Sequence, residues 1–409
     1  MTPMPIVFLM DAYEGPEAGT ENQVMQLLHG LDRSRFEPEL ALFRSSPFAD
    51  VPGSFPCRVT VLDVGSLRGP RSWWRLLKFA RRLRDARVRV VHIFFNDASL
   101  IAPPFCRLAG ARTIVSRRDM GFWYTPSILK CLQFSNSFVD EVVANSAAVQ
   151  ANVHGREGVP MPRITVLRNG HAPERFAEPA DRHVRARLGI AVNDPIVGMV
   201  ANLRPIKRHE DLLAAFALVR LRHPRAHLLI VGGGEIGEPL RRLIRDADMG
   251  NHVHFLGRTA APVSLIKHFD VGVLCSLSEG SSNAVLEYLA CGKPVVATNV
   301  GGNAEIVEEG RAGFLVAPGD VDALADRIDR LLSHPADAAR MGRHGRETFD
   351  ARFTAATMVR AHEEIYLRLA ETSQPKRQVR DDRQTALFPV LLEGEARDRA
   401  GLDRRAGDV

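Results

Sequence analysis

The chain has 409 residues, 45% hydrophobic and 25% charged, with a net charge of +6. That is ordinary globular composition, long enough for two domains with full cores. It excludes a membrane-spanning helix, because no apolar run reaches about eighteen residues. The positive charge is spread along the chain, with no basic run of five or more and no zinc-finger spacing, so nucleic acid is not the expected partner.

The first element in chain order is the apolar run PIVFLM (5–10), read as a strand and not a signal peptide, since no basic segment precedes it. Further along, SWWRLLKFARRLRDARVR (72–89) reads as a basic amphipathic helix. Trp73, Leu76, Leu77, Ala80 and Leu83 are expected on one face of it. That face would cover a sheet, or would touch a membrane surface with Trp and Arg at the headgroup level. Further strands are expected at VRVVHIFF (88–95), RTIVS (112–116), DEVVANS (140–146) and RITVLRN (163–169), with helical patterns between them. Continuous apolar strands alternating with amphipathic helices indicate a parallel sheet covered on both faces. The five cysteines (57, 106, 131, 275, 291) are scattered and form no C-x-x-C pair. They predict small buried thiols in a reduced, cytoplasmic protein.

The polar stretch 169–194 reads as a domain boundary. Strands then resume at PIVGMVANL (195–203), AHLLIVGGG (226–234), VHFLG (253–257), DVGVLCS (270–276), KPVVATN (293–299) and AGFLVAPG (312–319). The expectation is an α/β protein of two doubly wound, Rossmann-like domains facing a cleft. The N-terminal domain would span 1–185 and the C-terminal domain 192–350. A last helix over 351–371 is positioned to cross back to the first domain, and the Arg- and Asp-rich tail 372–409 is expected to be disordered. Within that tail, ALFPVLL (386–392) is a candidate docking segment.

One stretch carries most of the chemistry: SLSEGSSNAVLEYLACGKPVVAT (276–298). Asn283 is expected as N-cap of a helix closed by Gly292 and Pro294. Glu279 precedes that helix and Glu287 lies about one turn into it. The backbone N–H groups of Gly280, Ser281 and Ser282 would form an anion site between the two acids. Two carboxylates around a phosphate site suit a ligand with sugars at both ends of a diphosphate. Glu287 could equally be a solvated helical residue, and a Glu near a helix start also favours the macrodipole.

These motifs, with VGGNAEIV (300–307), resemble the E-x7-E signature of glycosyltransferase family 4 and its GT-B fold. The similarity covers most of residues 5–350, including AGTENQVMQLLHGL (18–31), which resembles the family's first glycine-containing loop and helix, VVANSAAVQ (142–150), VLRNGHAPERF (166–176) and VANLRPIKRHEDLLAAF (200–216). The resemblance implies a retaining, metal-independent transferase, with no cofactor and with a UDP- or GDP-sugar as donor. It implies that Glu287 holds the ribose, that Glu279 contacts the donor sugar near the reacting carbon, and that Arg204 and Lys207 clamp the diphosphate. Gly19 and Thr20 would approach that diphosphate, and the Gly280 and Ser281 amides, beside Ser282 and Asn283, would meet sugar or phosphate. The acceptor would be a glycan or a lipid-linked sugar of envelope or exopolysaccharide synthesis. The protein would then work in the cytoplasm or at the inner face of the cell membrane. Glu21 follows the first loop and is either part of the site or a helix N-terminal charge. Where relatives carry a histidine, this chain has SRRDM, so Arg118 or Asp119 takes that place. Arg118 could bind an acidic sugar or a phosphate, and Asp119 a sugar hydroxyl; a local ion pair is the other reading.

Two signals point elsewhere. VGGGEIG (231–237) contains G-x-G-x-x-G after a strand, which would suit an NADP-dependent oxidoreductase. DAD (246–248) and DVD (320–322) resemble the D-x-D of metal-dependent transferases, although Asp at a helix start is ordinary capping. A nucleotide-sugar-binding protein without catalysis is a third reading.

Overall fold

Strands that are apolar along their whole length need cover on both faces, and the chain supplies it twice. The computed structural model describes residues 2–371 apart from 17, 68, 247 and 248. The first sheet is parallel and seven-stranded: β1 (Met4–Met10), β2 (Phe36–Leu42), β3 (Arg58–Val61), β4 (Val90–Ile93), β5 (Arg112–Arg117), β6 (Glu141–Ala144) and β7 (Ile164–Val166) run in the order β3-β2-β1-β4-β5-β6-β7. Two of these, β2 and β3, go beyond the sequence expectation. FEPELAL alternates polar and apolar and RVTV is short and half-exposed, so neither carries the continuous apolar signal of a central strand. They occupy one edge of the sheet.

The second sheet is six-stranded and parallel. It contains β8 (Ile196–Val200), β9 (His227–Val231), β10 (Val253–Gly257), β11 (Val271–Leu274), β12 (Val295–Thr298) and β13 (Gly313–Val316), in the order β10-β9-β8-β11-β12-β13. In each sheet the strand order reverses beside a central strand, between β1 and β4 and between β8 and β11. Ligands of such sheets sit beyond the carboxyl ends of the strands at that point.

Two chain crossings join the halves, and they touch. The His171 N–H donates to Phe353 O (3.0 Å), and the Ala355 N–H returns to His171 O (2.9 Å). Gly170 is required there, since a Cβ would lie 2.5 Å from Thr354 O. After the second crossing, the helix Ala355–Glu371 packs on the first sheet. Met358, Val359, Ile365 and Tyr366 share one apolar core with Ile6, Phe8 and Val90. The tail 372–409, including the segment 386–392, lies outside the described residues.

The basic helix Pro70–Asp85 covers the other face of the first sheet, and its orientation corrects the sequence expectation. It buries Ser72, Leu76, Phe79, Ala80 and Leu83. Trp73 and Leu77, expected on that face, are 42% and 41% exposed, and Trp74 is 55% exposed. The positions 72, 76, 79, 80 and 83 follow the helical repeat, and a residue one place along turns about 100° away. Cys106 and Cys275 are buried thiols, but Cys57, Cys131 and Cys291 are only half-buried.

Candidate active site

The stretch after β11 is a turn pressed between the two domains. Its helix is Asn283–Ala290, and its N-cap is Ser282, whose Oγ accepts from the Val285 N–H at 3.3 Å. Asn283, expected as the cap, is the first helical residue instead, which leaves its amide free to reach across the cleft. At the far end Gly292 adopts φ +67°, as its C′ position demands.

Glycines let backbone meet backbone here. A Cβ on Gly280 would lie 2.1 Å from Arg118 O, in the opposite domain. Gly301, at φ +52°, sits behind the turn, where a Cβ would fall 1.6 Å from Glu279 O. The Gly302 N–H donates to Gly280 O at 3.0 Å. The V-G-G segment is therefore the backing on which the Glu279–Gly280 turn rests.

Glu279 is fixed by two donors. Lys207 Nζ and Ser276 Oγ each donate to its Oε1 at 2.6 Å. Lys207 ends the short turn Pro205–Lys207 beyond β8, and its side chain is 23% exposed against 10% for Glu279. Arg204 opens the same turn, is exposed, and forms no ion pair among the described residues. The glycine turn after β9 packs behind this loop: a Cβ on Gly232 would meet Ala201 O at 1.9 Å.

Glu287 is 7% exposed, and burial raises its pKa while Arg175 opposes the rise. Arg175 Nη1 lies 2.8 Å from Glu287 Oε1. Arg175 comes from the crossing segment, and the sequence reading passed over it. Its motif, ERF, carries no spacing that would tie it to residue 287.

Across the cleft, side-chain amides form a chain. Arg118 Nη2 donates to Asn169 Oδ1 (2.7 Å), Asn169 Nδ2 to Asn283 Oδ1 (2.8 Å), and Asn283 Nδ2 to Gly19 O (3.1 Å). Gly19 is thus held against the mouth of the Asn283–Ala290 helix, and Thr20 follows it in the helix Gly19–Gly30. Glu21, on that helix, is buried. Desolvation pushes its pKa up to about 7, with Glu14 adding to the rise and Arg118 opposing it. Burial in turn lowers Arg118 to about 10. Asp119 is in no ion pair among the described residues. It accepts the Gly121 N–H (2.6 Å) and Trp123 Nε1 (3.2 Å), closing its own turn, and burial raises its pKa. The two domains are also latched beside the site. Glu305 Oε1 accepts the Ala147 and Ala148 N–H groups at 2.7 and 3.2 Å, at the start of the helix Ala147–Asn152.

Asp320 of DVD caps the helix Val321–Ser333, accepting the Ala323 N–H at 2.9 Å. Of DAD, residues 247 and 248 lie outside the described residues.

Comparison with known proteins gives the family. The profile described as Glycosyl transferases group 1 covers residues 181–348, and that of Glycosyltransferase Family 4 covers residues 18–175. The GDP-mannose-dependent alpha-(1-6)-phosphatidylinositol monomannoside mannosyltransferase of Mycolicibacterium smegmatis is 32% identical over 62% of this chain and 70% of its own length. The chain belongs to glycosyltransferase family 4. N-acetyl-alpha-D-glucosaminyl L-malate synthase of Bacillus anthracis is 31% identical, but the match spans 45% of this chain and about half (48%) of that relative. Among solved structures, Anabaena HepE in complex with UDP superimposes with a TM-score of 0.79 at 24% identity, over 89% of this chain and 100% of HepE. Sucrose-phosphate synthase of Thermosynechococcus elongatus gives 0.76 at 23% identity, over 90% and 99%. These likenesses establish the GT-B fold of this family 4 member: two parallel-sheet domains facing a cleft.

Proposed function

We propose that the protein is a retaining glycosyltransferase that moves a sugar from a UDP- or GDP-sugar to a glycan or lipid-linked acceptor, without a metal. The observation that carries this is the Lys207–Glu279 pair before the Asn283–Ala290 helix, with Glu287 about one turn into that helix and Gly19 held against its first residue. The diphosphate would lie at Lys207 and the helix mouth, where cation and aligned N–H groups meet charge that grows as the sugar–oxygen bond breaks. Glu287 would accept the ribose hydroxyls. Glu279, held by Lys207 and Ser276, would meet the sugar near the reacting carbon. The acceptor hydroxyl would attack from the face the diphosphate leaves and give its proton to the departing phosphate oxygen. HepE was solved with UDP and with UDP-glucose, and the mycobacterial relative is named for GDP-mannose, so both nucleotide classes have support among similar proteins.

The acceptor side supports a lipid carrier. Trp73, Trp74 and Leu77 stand exposed on a helix that also carries Arg71, Arg75, Lys78, Arg81, Arg82 and Arg84, the composition of a headgroup-binding face. No helix among the described residues is long and apolar enough to cross a membrane, so contact would be peripheral.

The test is a transfer assay with UDP- and GDP-hexoses in the presence of EDTA, with the anomeric configuration of the product read by NMR. Release of UDP or GDP with retention is the expected result. Stabilisation by NADP⁺ and by neither nucleotide would favour an oxidoreductase, and donor binding without transfer or hydrolysis would make the chain a non-catalytic binder.

A further inference from the structure

The Glu287 carboxylate is nearly sealed, and its partner comes from the segment that links the two sheets. Arg175 sits in the short helix Pro173–Ala177, on the segment between β7 and β8. That segment is anchored on both sides. His171, fully buried, is bonded through both backbone groups to the second crossing, and Phe176 packs edge-on against Phe349 at 5.2 Å. Arg175 Nη1 is also 3.5 Å from His171 Nδ1. The guanidinium therefore approaches Glu287 from a fixed frame.

A buried ion pair is a poor means of stabilising a fold, because desolving two charges offsets most of their attraction. Its position beside the nucleotide pocket suggests another use. A carboxylate accepts two hydrogen bonds from neighbouring hydroxyls only while ionised. Protonated, it becomes partly a donor and loses the charge that strengthens such bonds. Burial drives Glu287 toward protonation, and Arg175 opposes this.

We infer that Arg175 is a positioning residue for the donor: it holds Glu287 ionised and oriented so that the carboxylate can grip the ribose diol. This rests on the reading of Glu287 as the ribose ligand. Among the described residues no second cation acts on Glu287. Tyr288, on the same helix, and Cys291, its C-cap, sense the Glu287 charge. Arg346, from the helix Pro335–Arg352, donates to Ala290 O at the helix end. Glu305 faces Ala147 and Ala148, and β11 and β12 contribute no titratable side chain.

The experiment measures binding of UDP, GDP and their 2′-deoxy forms by calorimetry from pH 6 to 8.5, on wild type, Arg175→Met, Arg175→Lys, Glu287→Gln and the Met/Gln double variant. A hydrogen bond to a charged group is worth about 1.5–3 kcal/mol, so the wild type should prefer the ribonucleotide by roughly 10- to 100-fold. Arg175→Met should lose that preference to within about threefold at pH 6.5 and recover it as pH rises and the carboxyl ionises. Arg175→Lys should keep part of it. In the Glu287→Gln background the Met substitution should change nothing further, which tests the coupling even if the single variant is unstable. Equal weakening of ribo and deoxy forms by Arg175→Met, or an unchanged preference at every pH, would overturn the inference while leaving the nucleotide site standing. A wild type that binds neither nucleotide would remove the functional reading, and this inference with it.

Discussion

Lys207 Nζ and Glu279 Oε1 are 2.6 Å apart, and this pair joins the loop after β8 to the loop after β11 across the switch point of the second sheet. If the pair frames the diphosphate and the sugar, its members should fail differently. Lys207→Met removes a cation aimed at the leaving group and should lower kcat/KM by about 10²–10³-fold, with a large loss of diphosphate affinity. Glu279→Gln should spare nucleotide affinity and lower turnover. Steady-state kinetics with nucleoside diphosphate as competitive inhibitor separates the two, and equal inhibitor affinity in Lys207→Met and wild type would refute the assignment.

Gly280 should tolerate no side chain. A Cβ 2.1 Å from Arg118 O can be accommodated only by moving the domains apart, because the backbone fixes the Cβ and Arg118 O is itself backbone. Gly280→Ala should therefore raise donor KM by more than about tenfold while the melting temperature of the protein changes little. Gly301→Ala adds strain at φ +52° to a contact of 1.6 Å and should be the more damaging of the two to stability.

Glu305 offers a probe of the closed arrangement. Its carboxylate caps a helix of the opposite domain and lies 3.6 Å from Arg168. Glu305→Ala should cost about 0.5–2 kcal/mol, the usual worth of a cap, and should widen the free protein in small-angle scattering. A saturating nucleotide should then restore the compact profile. A variant already as compact as wild type without nucleotide would show that the latch does not govern closure.

Acid should destabilise the first domain through its buried histidines. Burial holds His362 at about 4, and His92 is also pushed well below its ordinary range by burial. Both are neutral in the folded state and become protonated on unfolding near pH 6.5, so the unfolded state binds more protons between about 6.5 and 4. Stability should fall with pH across that window by about 1.4 kcal/mol per pH unit for each histidine. Glu21, raised to about 7, and Asp11, raised to about 6, act in the opposite sense as they take up protons in the folded state. The clean readout is the difference between wild type and His362→Gln. The variant's stability-against-pH curve should be shallower by about one proton, and parallel curves would disprove the assignment.

The exposed face of the helix Pro70–Asp85 predicts vesicle binding. Wild type should float with vesicles containing anionic lipid at low salt and be released as salt rises. Trp73→Ser with Trp74→Ser should remain in the aqueous fraction. Flotation on neutral lipid alone, unaffected by salt, would contradict an electrostatic contribution.

The sequence was most informative where chemistry is local. Glu279, the helix and Gly292 lie within one short stretch, and both the doubly wound class and eleven of the strands followed from apolar runs between polar breaks. What it concealed depends on the path of the chain. Arg175 meets Glu287, and Asn169 meets Arg118 and Asn283, only because the crossing segment passes behind the cleft. Asp119 was read for its charge, yet two hydrogen-bond donors two and four residues further on claim it. Ser282 and Asn283 are both good caps by composition, and the backbone decides between them. At β3 the cue was weak because an edge strand is partly solvated, and at β2 because polar residues interrupt the apolar run.

The last described helix also constrains the order in which the molecule can be built. Its Tyr366 lies fully buried against Phe8 and Phe36, which are translated long before it. The second half can mature as soon as its own strands are made, but the first must wait, with one flank of its sheet uncovered, until translation has passed residue 371. The first sheet is therefore completed after the second, and a nascent chain stalled short of that helix is a natural client for chaperones.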